Sequence, residues 1–85
     1  MNINEEIGAR IKATRLERKL SREQVARRIG TTQQTVEKYE KGEIDISVRR
    51  LTQISNVLNV GITHFLIKEG HDDTIFNHYV SLQLK

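Results

Sequence analysis

Two glycines, Gly30 and Gly42, punctuate residues 21–42 and divide them into a pair of short segments that both read as helices. Ser21 followed three residues on by Gln24 is a capping box, and Leu20 and Val25 flank it where a hydrophobic staple would sit. Val25, Ala26 and Ile29 form the inward face of this first segment. Gly30 then suits the left-handed residue that ends a helix. Thr32 can cap the second segment, which runs from Gln33 to about Lys41 and stops at Gly42. Val36 and Tyr39 are its natural buried contacts, while Gln34, Glu37, Lys38 and Lys41 share the opposite face by helical spacing. Two short helices about a tight turn are the element around which the rest of the chain must fold.

The flanks supply the partners. A helix is expected over 4–19, capped by Asn4, with Glu5 and Glu6 in the first turn and an apolar stripe of Ile7, Ile11 and Leu16 with Ala13 or Thr14 nearby. Ser47 caps a fourth helix to about Leu58, striped by Leu51, Ile54 and Leu58, and Asn59 can take the left-handed stop. A short fifth helix over 62–67 follows, with Val60, Ile62, Phe65 and Leu66 closing the core. Beyond 68 comes a polar break, then a tail carrying Ile75, Phe76, Tyr79, Val80, Leu82 and Leu84. Its end alternates as a strand would, and its start fits a helix equally well.

A chain of 85 residues makes one small domain with a modest core. It has no cysteine, which fits a reducing cytoplasm. No apolar run reaches the roughly 20 residues of a membrane span, and the acidic, polar start is unlike a signal peptide; a cytoplasmic location is expected. The net charge of +3 is unevenly spread. Residues 1–42 hold 10 Lys/Arg against 6 Asp/Glu, and residues 43–85 hold 4 against 5. The basic half contains the paired segments. That asymmetry suits a polyanion on one face, and it equally suits a solvated basic surface.

Gln33 and Gln34 open the second segment where their side chains can point outward. A glutamine amide presents an acceptor beside a donor, the complement of the N6/N7 edge of adenine in the major groove. Phosphate contacts are expected from the start of the preceding segment, where free N–H groups and the helix dipole attract an anion. Ser21 and Arg22 occupy that end, and Lys41 sits at the exit of the second segment. Arg27 and Arg28 add either general attraction or an ordinary charged face.

Residues 7–67 resemble the Cro/C1-type (Xre-like) helix-turn-helix family. The run Gly30-Thr31-Thr32-Gln33-Gln34 followed by Thr35-Val36-Glu37 is similar to a phage-repressor recognition segment. Glu40-Lys41-Gly42 and Leu58-Asn59-Val60 match helix exits of the family. The resemblance implies an all-α, five-helix, lambda-repressor-like DNA-binding domain over 1–67, with helices two and three as the reading pair and 68–85 as an extension. Carried over by position, Gln33 and Gln34 contact bases, Thr32 reaches a thymine methyl, and Lys38 lies one turn further along. Lys38 stands where the phage-repressor pattern has another glutamine; a lysine prefers guanine O6/N7 or a phosphate, so a different operator is expected. The resemblance also implies a structural ion pair between Arg15 and Glu40. Two further departures stand out. The acidic and apolar loop Glu43-Ile44-Asp45-Ile46 makes a loop clamp on the backbone doubtful. Arg49 and Arg50 could compensate. Ser55 puts a hydroxyl in or near the core.

His64, His71 and His78 recur every seven residues without the spacing of a zinc site. No catalytic grouping or glycine-rich phosphate loop is evident, so neither an enzyme nor a cofactor or metal is expected. The expected function is sequence-specific transcriptional regulation, as a repressor. The expected partners are double-stranded DNA and a second copy on two half-sites. Val60, Ile62, Phe65, Phe76, Tyr79 and Val80 are the expected dimer contacts, unless the tail folds back on its own core. The alternatives are an antitoxin whose tail binds a toxin, and a protein-binding adaptor or coactivator.

Overall fold

The computed structural model describes residues 2–67 and 74–84. They form six helices and, among the described residues, no strand: α1 (Ile3–Glu17), α2 (Arg22–Ile29), α3 (Gln33–Lys41), α4 (Val48–Leu58), α5 (Thr63–Leu66) and α6 (Thr74–Gln83). The tail left open between strand and helix is therefore helical over the ten residues of α6. The polar break after 67, His71 included, lies outside the described residues.

Short polar side chains set the helix boundaries. Ser21, Thr32 and Ser47 each accept a hydrogen bond from the backbone N–H three residues on, at 3.0, 3.1 and 3.1 Å. Gly30, Gly42 and Asn59 end α2, α3 and α4 in the left-handed region. The first helix departs from expectation at both ends. Its cap is Asn2, not Asn4, and Asn2 builds a full capping box with Glu5. Asn4 lies inside the helix and donates instead to Asp45 Oδ1 at 2.6 Å. At the other end Lys19 is already left-handed, with φ 58°. Leu16 also leaves the expected stripe and is 56% exposed. Five residues past Ile11 is a rotation of about 140° on an α-helix. Thr14 and Arg15 take the buried positions instead.

The core draws on every helix. Ile7 and Ile11 from α1, Val25 from α2, Val36 from α3, Leu51, Ile54 and Leu58 from α4, and Phe65 from α5 are all nearly or fully sealed. Helix α1 packs against α3, α4, α5 and α6, and α2 packs against α3 and α4. Gly8 makes the α1–α3 contact possible. A Cβ there would lie 2.6 Å from the Glu40 carbonyl oxygen, closer than atoms can approach. Gly42 combines a left-handed φ of 73° with its own close approach to the Glu5 backbone. The end of α3 is thus clasped to the start of α1 by backbone contact that any side chain would block.

Helix α6 closes the far side. Ile75 and Tyr79 are buried, and the Tyr79 hydroxyl donates to the Ile46 carbonyl at 2.8 Å. Burial pushes its pKa up to about 12, because the phenolate would lose its water. Ile46 belongs to the loop after α3, so this bond ties the tail to that loop. Ser55 is buried as expected of a polar intruder, and its hydroxyl donates to the Leu51 carbonyl at 2.8 Å. No helix among the described residues is long and apolar enough to cross a membrane.

Candidate nucleic-acid interface

Helix α3 presents one end and buries the other. Gln33 and Gln34 occupy its first two positions and are exposed. Thr32 precedes them, also exposed; its hydroxyl oxygen accepts from the Thr35 N–H and lies 2.9 Å from the Thr35 hydroxyl. With Oγ1 turned onto the helix, Thr32 has its methyl as an available apolar surface. Lys38 is exposed one turn along. Thr32, Gln33, Gln34 and Lys38 are thus all exposed, and Gln34 and Lys38, four residues apart, share one face of the helix.

The buried end is held by charge. Arg15 grips Glu40 with two nitrogens, Nε to Oε2 at 2.6 Å and Nη2 to Oε1 at 3.1 Å. The carboxylate side chain is only 1% exposed. Arg15 Nη1 also donates to the Leu20 carbonyl at 2.9 Å, tying in the turn before α2. A buried carboxylate survives only with such partners, and among the described residues no buried side-chain polar atom lacks a hydrogen-bond partner.

The expected phosphate ligands are distributed differently. Ser21 is exposed at the start of α2, where its oxygen caps the Gln24 N–H and its own N–H donates to Gln24 Oε1 at 2.7 Å. Arg22 is not a free surface cation: its Nε donates to Glu40 Oε1 at 2.9 Å, with 27% of its side chain exposed. Glu23 adds an acidic group to the same turn, and Arg27 holds it at 2.8 Å. Lys41 is exposed and stands 3.8 Å from Glu37. Arg28 and Arg49 are exposed. Arg50 turns inward and donates to the Ile29 carbonyl, which satisfies the C-terminus of α2 rather than a ligand.

The expected dimer contacts divide in two. Phe65 is sealed within the protomer at 0% exposure, and Tyr79, at 3%, shows only an edge in the floor of the apolar groove beside α6. That corrects the expectation for both residues: α6 packs over α5 and α1 and uses them as its own core. Val60, Ile62, Phe76 and Val80 remain half-buried. Ile62, Phe76 and Val80 line an apolar groove of about 330 Å³ together with Val48, Leu66 and Leu84. His64 lies apart from all of this, with Nε2 3.1 Å from the Thr14 hydroxyl.

Sequence reasoning missed three of these features. It gave Arg22 a phosphate without seeing that its Nε is already bonded to Glu40. It offered Arg50 as a substitute for the loop clamp and did not foresee its bond to the Ile29 carbonyl. It passed over Gly8, although a lone glycine inside a helical stretch is itself a sign of close packing.

Comparison with known proteins fits this geometry. A family model described as helix-turn-helix matches residues 11–65. A transcriptional regulator in the ATPase CF(0) region of Rhodospirillum rubrum is 38% identical over 64 residues, covering 75% of this chain and 59% of that protein. An HTH-type transcriptional regulator of Rickettsia conorii is 44% identical over 59 residues, 69% of this chain and 47% of that protein. The chain spans about half the length of the curated relatives it matches. Among solved structures, the clp gene regulator ClgR of Corynebacterium glutamicum aligns with a TM-score of 0.76 over 99% of this chain and 82% of that one; at 15% identity the likeness is one of fold. Bacillus thuringiensis PlcR, solved in complex with a peptide and DNA, aligns with a TM-score of 0.69 at 30% identity, over 86% of this chain and 25% of that one.

Proposed function

Because the chain belongs to the helix-turn-helix family, we propose that it is a sequence-specific DNA-binding transcriptional regulator that acts as a repressor on a palindromic operator. The observation that carries this reading is the solvent-facing start of α3, with Gln33 and Gln34 side by side above a buried anchor. Each glutamine amide can bond an adenine edge in the major groove, and Lys38 can reach a guanine or a phosphate. Thr32 adds an apolar contact for a thymine methyl. Ser21, Arg22 and Lys41 face the backbone around them, where they set register without reading sequence.

Residues 1–67 form the DNA-binding unit of this reading, and 68–85 form an extension that serves dimerisation. One α3 makes few base contacts, so specificity calls for two copies. The protomer is 30 Å along its longest axis, close to the roughly 34 Å between half-sites one helical turn apart. Val60, Ile62, Phe76 and Val80 are half-buried apolar positions open to contact between two copies.

The test is a selection of bound oligonucleotides followed by titration of the selected and scrambled duplexes at one stated salt concentration. A preference of about a thousandfold or more is expected. Equal affinity for both duplexes would overturn the reading and leave an adaptor in its place. A second reading gives the groove beside α6 to a protein or peptide partner, a toxin among them. It is favoured by the apolar lining of that groove, and co-purification of such a partner from the native host distinguishes it.

A further inference from the structure

We propose that Arg22 is a positioning residue: it couples a backbone phosphate at the start of α2 to the orientation of α3, through Glu40. The inference rests on the DNA-binding reading above and deepens it. Three observations carry it. Glu40 is one buried carboxylate held by two guanidiniums, Arg15 through two nitrogens and Arg22 through Nε alone. Two cations against one anion leave a surplus positive charge. Arg15 is sealed, with 6% of its side chain exposed, whereas Arg22 is 27% exposed. The surplus therefore meets solvent at Arg22.

Position makes that charge useful. Arg22 is the first residue of α2, where orphan backbone N–H groups and the helix dipole favour an anion. A guanidinium carries five N–H donors in a rigid fork. With Nε committed to Glu40, the outer edge of the fork can take a phosphate oxygen in a fixed direction. Glu40 lies in the last turn of α3, on the same rigid helix as Gln33 and Gln34. A phosphate on Arg22 thus pulls on the anchored end of the helix whose other end reads bases. Glu23, which would repel that phosphate, is held by Arg27 at 2.8 Å.

The experiment compares Arg22→Lys, Arg22→Gln and the control Arg27→Lys, using the full chain and the selected duplex. Affinity for selected and scrambled duplexes is measured across a salt series, with a thermal melt of each variant. Arg22→Lys keeps the charge and loses the fork. It is expected to retain the salt slope while the selected-to-scrambled ratio falls about tenfold, the size of one hydrogen bond to a charged group. Arg22→Gln is expected to lower the ratio as well and to flatten the log–log slope by about one unit. Arg27→Lys is expected to change neither. If Arg22 were only a phosphate ligand, both variants would weaken every duplex alike, and an unchanged ratio would overturn the inference while leaving the DNA-binding reading intact. Absence of any preference in the parent protein would overturn both. Should Arg22→Lys fail to fold, the Arg22 Nε–H resonance of the parent decides. Retained exchange protection on adding duplex supports the coupling, and loss of protection overturns it.

Discussion

The two ends of α3 are built on opposite principles. At its start, Gln33 and Gln34 are exposed and take no part in the core. From mid-helix on, its inner face is anchored: Val36 is fully buried, Glu40 is locked between arginines, and Gly42 lies against the α1 backbone. Nine residues are enough for both jobs because the helix transmits position along its length. A side chain can read a base edge only if water alone covers it beforehand, and it can read it repeatably only if its backbone does not wander. Exposure at one end and burial at the other satisfy both demands.

Four variants probe this contrast. Glu40→Ala strikes the anchor and leaves Arg15 buried without its carboxylate; a loss of about 3–5 kcal/mol is expected by chemical denaturation. A stability within error of the parent would mean that charge does not hold the helix. Gly8→Ala forces a methyl against the Glu40 carbonyl and is expected to cost about 1–3 kcal/mol, more if α1 and α3 cannot separate. An unchanged melting temperature would show that the two backbones are not in contact.

Tyr79→Phe serves as a control remote from both ends. Losing the hydroxyl bond to Ile46 is expected to cost about 1 kcal/mol and to leave DNA discrimination unchanged. The same residue sets an alkaline limit. Its phenol holds its proton up to about 12 when folded, against 10.0 for a phenol in water. The folded state therefore binds the proton more tightly. Stability is complete below pH 10 and falls as pH rises from 10 towards 12. A flat stability profile through that window, or the same decline in Tyr79→Phe, would exclude Tyr79 as the cause.

The smallest effect on stability belongs to the reading end. Replacing Gln33 and Gln34 together by alanine is expected to move the unfolding free energy by no more than about 0.5 kcal/mol, as for other surface sites. The same change should cost about 1–3 kcal/mol of discrimination for each bidentate pair lost. A double variant that still separates selected from scrambled duplex would show that the bases are read elsewhere.

How legible these features were depends on whether their cause is local. The caps at Ser21, Thr32 and Ser47 and the stops at Gly30, Gly42 and Asn59 are decided within a few residues, and each was readable from its neighbours. The first helix shows the limit. Asn2 and Asn4 are both good caps, and the choice turned on which one could pair with a glutamate three residues on. Leu16 was read as core because it is apolar, but the rotation of the helix carries it to solvent and turns Arg15 inward. Phe65 and Tyr79 looked like surplus apolar surface awaiting a second copy until α6 was seen to lie across them.

Within this chain, sequence alone determined the caps and stops of α2, α3 and α4 and the exposed amides at the head of α3. Each follows from short-range chemistry: a hydroxyl three residues from an orphan N–H, or a residue able to adopt positive φ. Only the tertiary structure decided that Arg22 shares Glu40 with Arg15, that Arg50 caps α2, and that Gly8 admits a crossing backbone. Those pairings join residues 18, 21 and roughly 30 positions apart. The direction in which a long side chain turns depends on which partner the fold brings within reach.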